Sequence, residues 1–193
     1  MSETVLWLLA LQGALGAFDT LYFHEWKARL PAWPAQTAPE LRLHASRDFL
    51  YALLFASLPW IAWQGLWAYV LAVILVAEIA LTMTDFVVEV SVRRPMGDVY
   101  AGERVTHAAM GIVYGVMLAH LLPVLSDWSS LPTSLRPATA EGPAVLHWLL
   151  TLMAAGVHAS GVRDLYASFS FPAGGWPWQG MKSISSEVNA RNA

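Results

Sequence analysis

The run LWAYVLAVILVAEIALTMTDFVVEV, residues 66–90, decides how the rest of the chain is read. It is long enough to cross a hydrocarbon core roughly 30 Å thick at the 1.5 Å rise of an α-helix. Its first half carries no charge, yet Glu78, Asp85 and Glu89 follow. At 100° per residue, Asp85 and Glu89 fall about 20° to either side of Glu78, so the three acids form one stripe. An ionised carboxylate at the centre of a bilayer costs on the order of 2.5–3.5 kcal/mol on insertion scales, so such a stripe faces a bundle interior and meets partners there.

Working outward, the composition agrees with a membrane protein. The chain has 193 residues, of which 56% are hydrophobic and only 13% charged, with a mean hydropathy of +0.47. A net charge of −3 with 11 Lys and Arg supplies no concentrated basic face, which sets nucleic acid aside as a partner. There is no cysteine, so any metal must be held by imidazole and carboxylate. The N-terminal stretch lacks a positive n-region and its apolar run exceeds an h-region, which reads as an uncleaved first span. Trp60, Trp63 and Trp67 surround an expected turn between spans, where tryptophan collects at a lipid–water boundary.

Five stretches qualify as spans: Val5–Phe23, Phe49–Gln64, Leu66–Val88, Val105–Leu125 and Ala144–Val162. The second is short unless it begins near Leu43. The expected fold is an all-α, polytopic membrane bundle of about five transmembrane helices. Residues 1–170 form a single bundle domain, and 171–193 an irregular or interfacial cytoplasmic tail. Lys27, Arg29, Arg42, Arg93, Arg94, Arg104, Arg163, Lys182 and Arg191 fall on one side, and only Arg136 on the other. This bias puts the N-terminus outside and the C-terminus in the cytoplasm, in a bacterial-type inner membrane. Arg93 and Arg94 read as topology markers, and Glu40 and Asp98 as solvated loop residues. HASRDFLYA at 44 and HASGVRDLYA at 158 resemble each other, but they lie at opposite helix ends and read as coincidence.

With this threading, nearly all the polar residues collect at the cytoplasmic leaflet: Asp19, His24 and Glu25; His44 and Asp48; Asp85 and Glu89; Glu103 and His107; His158 and Asp164. His44–Asp48 and Glu103–His107 are i, i+4 pairs, each pointing two ligands at one neighbour. Asp19 and His24 stand about 140° apart in an α-helix and share a centre only if the helix unwinds near Tyr22. Imidazoles mixed with carboxylates suit iron, manganese or zinc. Soluble di-iron bundles use carboxylates from all four helices and Glu-x-x-His from two. This chain offers Glu-x-x-x-His and His-x-x-x-Asp instead, and it has no His-x-x-His-His run of the kind found in membrane desaturases.

The expected function is a membrane metalloenzyme with a centre of two irons that hydroxylates or desaturates a hydrophobic or lipid substrate, served by an electron-donor protein. The ligand candidates are His24, His44, Asp48, Glu78, Asp85, Glu89, Glu103, His107 and His158, with Asp19 as a weaker one. Glu78 and Asp85 are the catalytic candidates, Glu78 as a proton relay. Zinc-dependent lipid hydrolysis, a proton or divalent-cation transporter and a haem-binding subunit are the alternatives. His120 and His147 lie toward the outer side, and Ser46 has no nucleophile elbow around it.

Overall fold

A computed structural model describes residues 2–138 and 142–178. Five long helices run through it: α1 (Glu3–Phe18), α2 (Pro34–Ser57), α3 (Leu66–Arg93), α4 (Ala101–Ser129) and α5 (Ala144–Ser168). α1 continues as a π-helix over Asp19–Ala28, and short 3₁₀ turns follow at Leu30–Ala32 and Arg94–Met96. The helices alternate in direction. At one end of the bundle, strands β1 (Ile61–Gln64) and β2 (Ser134–Pro137) pair antiparallel, joining the α2–α3 and α4–α5 connections. Gly142 meets Glu3 near the start of both α5 and α1. The buried acids lie toward the opposite end.

Four of the helical segments are long and apolar enough to cross a membrane: Glu3–Ala28, Leu66–Met96, Ala101–Ser129 and Ala144–Ser168. Aliphatic side chains, Val73, Val76, Val87, Val105 and Ile112 among them, cover much of the exposed middle of α3 and α4, while Glu78, Asp85, Glu89 and Glu103 are buried. Tryptophans occupy both ends and skip the middle. Trp7, Trp60, Trp63, Trp67, Trp128 and Trp148 lie toward the strand end, and Trp26, Trp33, Trp176 and Trp178 toward the acid end. Two such belts are what a bilayer selects.

The second expected span is corrected. Its helix is α2, shifted toward the N-terminus: it begins at Pro34, ends at Ser57, and leaves Ile61–Gln64 as a strand. Pro34 at the first helical position loses no hydrogen bond, so the Pro-rich stretch starts the helix rather than forming a loop. Glu40 is therefore helical, four residues before His44, and fully buried, against the expectation of a solvated loop residue. Asp98 is in the expected exposed turn, ion-paired to Arg104 at 2.9 Å. The Val99 N–H and then the Arg104 guanidinium hold its carboxyl below the ordinary range.

α2 and α5 make the most intimate helix pair, antiparallel, with Gly161 at the closest approach. A Cβ there would stand 2.9 Å from Asp48 Cβ and 3.2 Å from the Ala45 carbonyl oxygen. The two resembling segments, at opposite helix ends, thus lie side by side: Phe49 packs on His158, and His44 Nδ1 lies 3.8 Å from Asp164 Oδ2. Gly161→Val should force the helices apart and cost on the order of 1–3 kcal/mol by overpacking, read as a lower midpoint in thermal unfolding. At the strand end, Gly65 has φ +63°, and a Cβ would sit 2.5 Å from Thr133 Cα, so the turn into α3 admits glycine alone. There Thr133 Oγ1 accepts the Leu66 N–H that opens α3.

Candidate metal centre

The π-helix resolves the geometric problem at the end of α1. Hydrogen bonds from i to i+5 set residue i+5 over residue i, so Asp19 and His24 come to one face. The Arg29 N–H closes this segment on the His24 carbonyl, five residues back. His24 Nε2 lies 3.3 Å from Asp19 Oδ2 and 3.1 Å from Glu103 Oε1. His107 Nε2 lies 3.1 Å from the same Asp19 oxygen, and its Nδ1 points to Glu89 Oε2 at 3.8 Å.

Two groups of three ligand atoms result, each gathered within 4.8 Å: Asp19, His24 and His107; and Glu89, Glu103 and His107. All five residues are buried. They come from the α1 extension, from α3 and from α4. A neutral imidazole offers one lone pair, so His107 serves one group at a time unless both its nitrogens are deprotonated.

The carboxylates are half anchored. Glu103 takes Arg93 on Oε1 at 3.0 Å, and Asp19 takes His107 on Oδ2. Glu103 Oε2, Asp19 Oδ1, Glu89 Oε2 and His24 Nε2 are buried and have no hydrogen-bond partner among the described residues. Buried polar atoms are ordinarily satisfied. For Glu103, one oxygen fixed by Arg93 and one left free is the arrangement by which an outer partner orients a metal ligand. Buried carboxylates at this end, Asp19, Glu40, Glu78, Asp85, Glu89, Glu103 and Asp164, also exceed the guanidiniums of Arg47 and Arg93 by five. Such an excess demands cations or protons. These residues fit a metal.

Beside the two groups lies a second assembly. His44 stacks on His24 with ring centroids 4.4 Å apart, and its Nε2 lies 3.3 Å from Asp85 Oδ2. Arg47 donates to that oxygen at 2.9 Å. Deeper, Tyr51 and Thr82 donate to Glu78 Oε1 at 2.9 and 2.8 Å, and Gln12 donates to the Tyr51 hydroxyl at 3.1 Å. Asp85, His44 and Glu78 are thus engaged with these partners and outside both ligand groups. Asp48 is half-buried and outside them too, lining a cavity. His158 is exposed on α5, packed on Phe49 and apart from the cluster. His120 is exposed, and His147 packs against Trp60 at the strand end.

Arg93 is corrected from a topology marker to the hub of the acid layer. It is 1% exposed and forks onto both oxygens of Glu40 at 2.8 and 2.9 Å while also holding Glu103. Its signal was in the sequence, four residues after Glu89 on the same stripe. Gln12 gave one as well, seven residues before Asp19 and therefore on its face.

Two cavities flank the centre. One of about 330 Å³ lies between α1, α2 and α5 with Asp19, His24, His44 and Asp164 in its lining. The other, about 240 Å³, lies between α3 and α4 and reaches Glu78 and His107. Gln12, Arg47, Tyr51 and Met110 border both. No protein-family model, curated protein or solved structure matches the chain.

Proposed function

We propose that the chain is an integral membrane metalloenzyme holding two iron ions at the acid end of its bundle and oxidising a hydrophobic substrate, with an electron-donor protein as partner. The observation that carries this reading is the pair of buried three-ligand groups meeting at His107, with four of their polar atoms making no hydrogen bond among the described residues. Asp19 and His24 would hold one ion, Glu89 and Glu103 the other, and His107 would stand between them. Iron bound there supplies the redox chemistry of oxygen, which amino-acid side chains lack.

The protein's own residues do the remainder. Arg93 fixes Glu103, and the π-helix fixes His24 against Asp19. Glu78, hydrogen-bonded by Tyr51 and Thr82, sits where a proton can pass between the Tyr51 hydroxyl and the carboxylate. The apolar linings of the two cavities give a lipid-soluble molecule a dry place beside the centre.

Elemental analysis of the detergent-purified protein by mass spectrometry tests the reading, with about two irons per chain expected from the two ligand groups. Zinc at that level would replace oxidation by hydrolysis through a metal-bound water. Absence of any metal after growth with iron, zinc and manganese supplied would overturn the metal centre.

A further inference from the structure

We propose that the 330 Å³ cavity between α1, α2 and α5 binds a single-chain amphiphile with a cationic amine head, held by Asp48 and Asp164. This names the substrate class of the metal centre proposed above and rests on that reading.

The walls of the cavity are shaped by missing side chains. A Cβ on Gly156 would meet no atom within 4 Å, and one on Gly16 would meet only Met110 Cε at 3.7 Å. These glycines leave room rather than allow a close helix contact. Phe55, Met153 and Val157 make the rest of the wall apolar. At roughly 30 Å³ per water-sized group, the space takes an unbranched chain of about eleven heavy atoms.

The floor selects the head by charge and by donor count. Asp164 is buried, and its one ion-pair neighbour among the described residues is His44 Nδ1 at 3.8 Å. Asp48 has no Lys or Arg nitrogen within 4.0 Å among the described residues, because the adjacent Arg47 is turned to Asp85. Arg163, adjacent to Asp164, is turned away to Glu25. Arg47 also lines the cavity, but it is ion-paired to Asp85 at 2.9 Å and Glu78 at 3.8 Å, so a phosphate or carboxylate head would meet Asp48 and Asp164 beside a guanidinium already held by two acids.

Polar atoms without a hydrogen bond also line the space. Gln12 is 4% exposed, and its Oε1 has no hydrogen-bond partner among the described residues; His44 Nδ1 and Arg47 Nε make none either, but each lies 3.8 Å from a carboxylate oxygen, of Asp164 and Glu78 respectively. An ammonium, with three donors and no acceptor, can serve Gln12 Oε1 and the Asp48 and Asp164 carboxylates together, whereas a carboxylate head offers none of them a donor. A charge-assisted contact in a site shielded from water is strong enough to choose between them.

Native mass spectrometry of the full chain in a maltoside detergent, titrated with decylamine or with decanoic acid, tests the assignment. One decylamine should bind per chain with saturation, and decanoic acid should not bind at the same concentrations. Gly156→Leu, at a cavity-lining position where an added Cβ meets nothing within 4 Å, and the Asp48→Asn, Asp164→Asn double variant should each weaken amine binding at least about tenfold. Equal binding of the acid, or amine binding unchanged in both variants, would overturn the inference. Metal analysis of the same samples separates the two readings. Metal without saturable amine binding removes the cavity assignment alone, whereas saturable amine binding without metal keeps the cavity assignment and removes the centre.

Discussion

With two ions held as proposed and both His107 nitrogens deprotonated, His107→Ala is expected to lower the metal content from about two ions per chain to below about half an ion, because each ligand group then falls from three residues to two. The loss should affect both ions, since no other described residue belongs to both groups. Asp19→Ala, by contrast, removes a ligand from one group and should leave about one ion per chain. Elemental analysis of the two variants beside the parent, with circular dichroism to confirm retained helix, reads the difference. A His107→Ala protein that keeps both ions would rule out the shared-ligand arrangement. Equal losses in the two variants would show that the groups act as one site.

The second large effect concerns stability. Arg93→Met should destabilise the bundle by about 3–5 kcal/mol, the cost of leaving buried charge without its partner. Glu40 and Glu103 are both fully buried and both hold Arg93, so its removal strands two carboxylates together. Arg93→Lys should recover only part of the loss. An ammonium on a flexible stem cannot fork onto both oxygens of Glu40 and still reach Glu103. Thermal unfolding in detergent checks both variants, and an unchanged midpoint in Arg93→Met would show that the acid layer does not depend on this guanidinium.

Much of the bundle was legible because apolar length and helical phase are local properties. The stripe of Glu78, Asp85 and Glu89 could be drawn from the 3.6-residue period alone, and all three are buried. The pair Glu103 and His107 likewise reached one ligand group. What failed was punctuation. Proline reads as a helix breaker, but Pro34 opens α2, and placing the helix start too late left Glu40 in solvent. Arg93 was misread for a related reason: a basic residue near a span end usually reports orientation, and only the neighbouring helices reveal that this one points inward. The threading also put His158 with the cluster by leaflet, although its side chain is exposed on α5. Which helices are neighbours is a non-local fact that spacing along one helix does not contain.

The winding of residues 19–28 carries a consequence of its own. The same ten residues wound as an α-helix would carry His24 about 140° from Asp19, so the pair exists in one pitch and not in the other. An ion gripped by both side chains is then a ligand for a pitch, and by mass action it favours the wide turn over the narrow one. Metal supply would in this way be transcribed into the twist of a single helix. The twist would pass on to whatever follows it, beginning with the left-handed Arg29 that ends the segment.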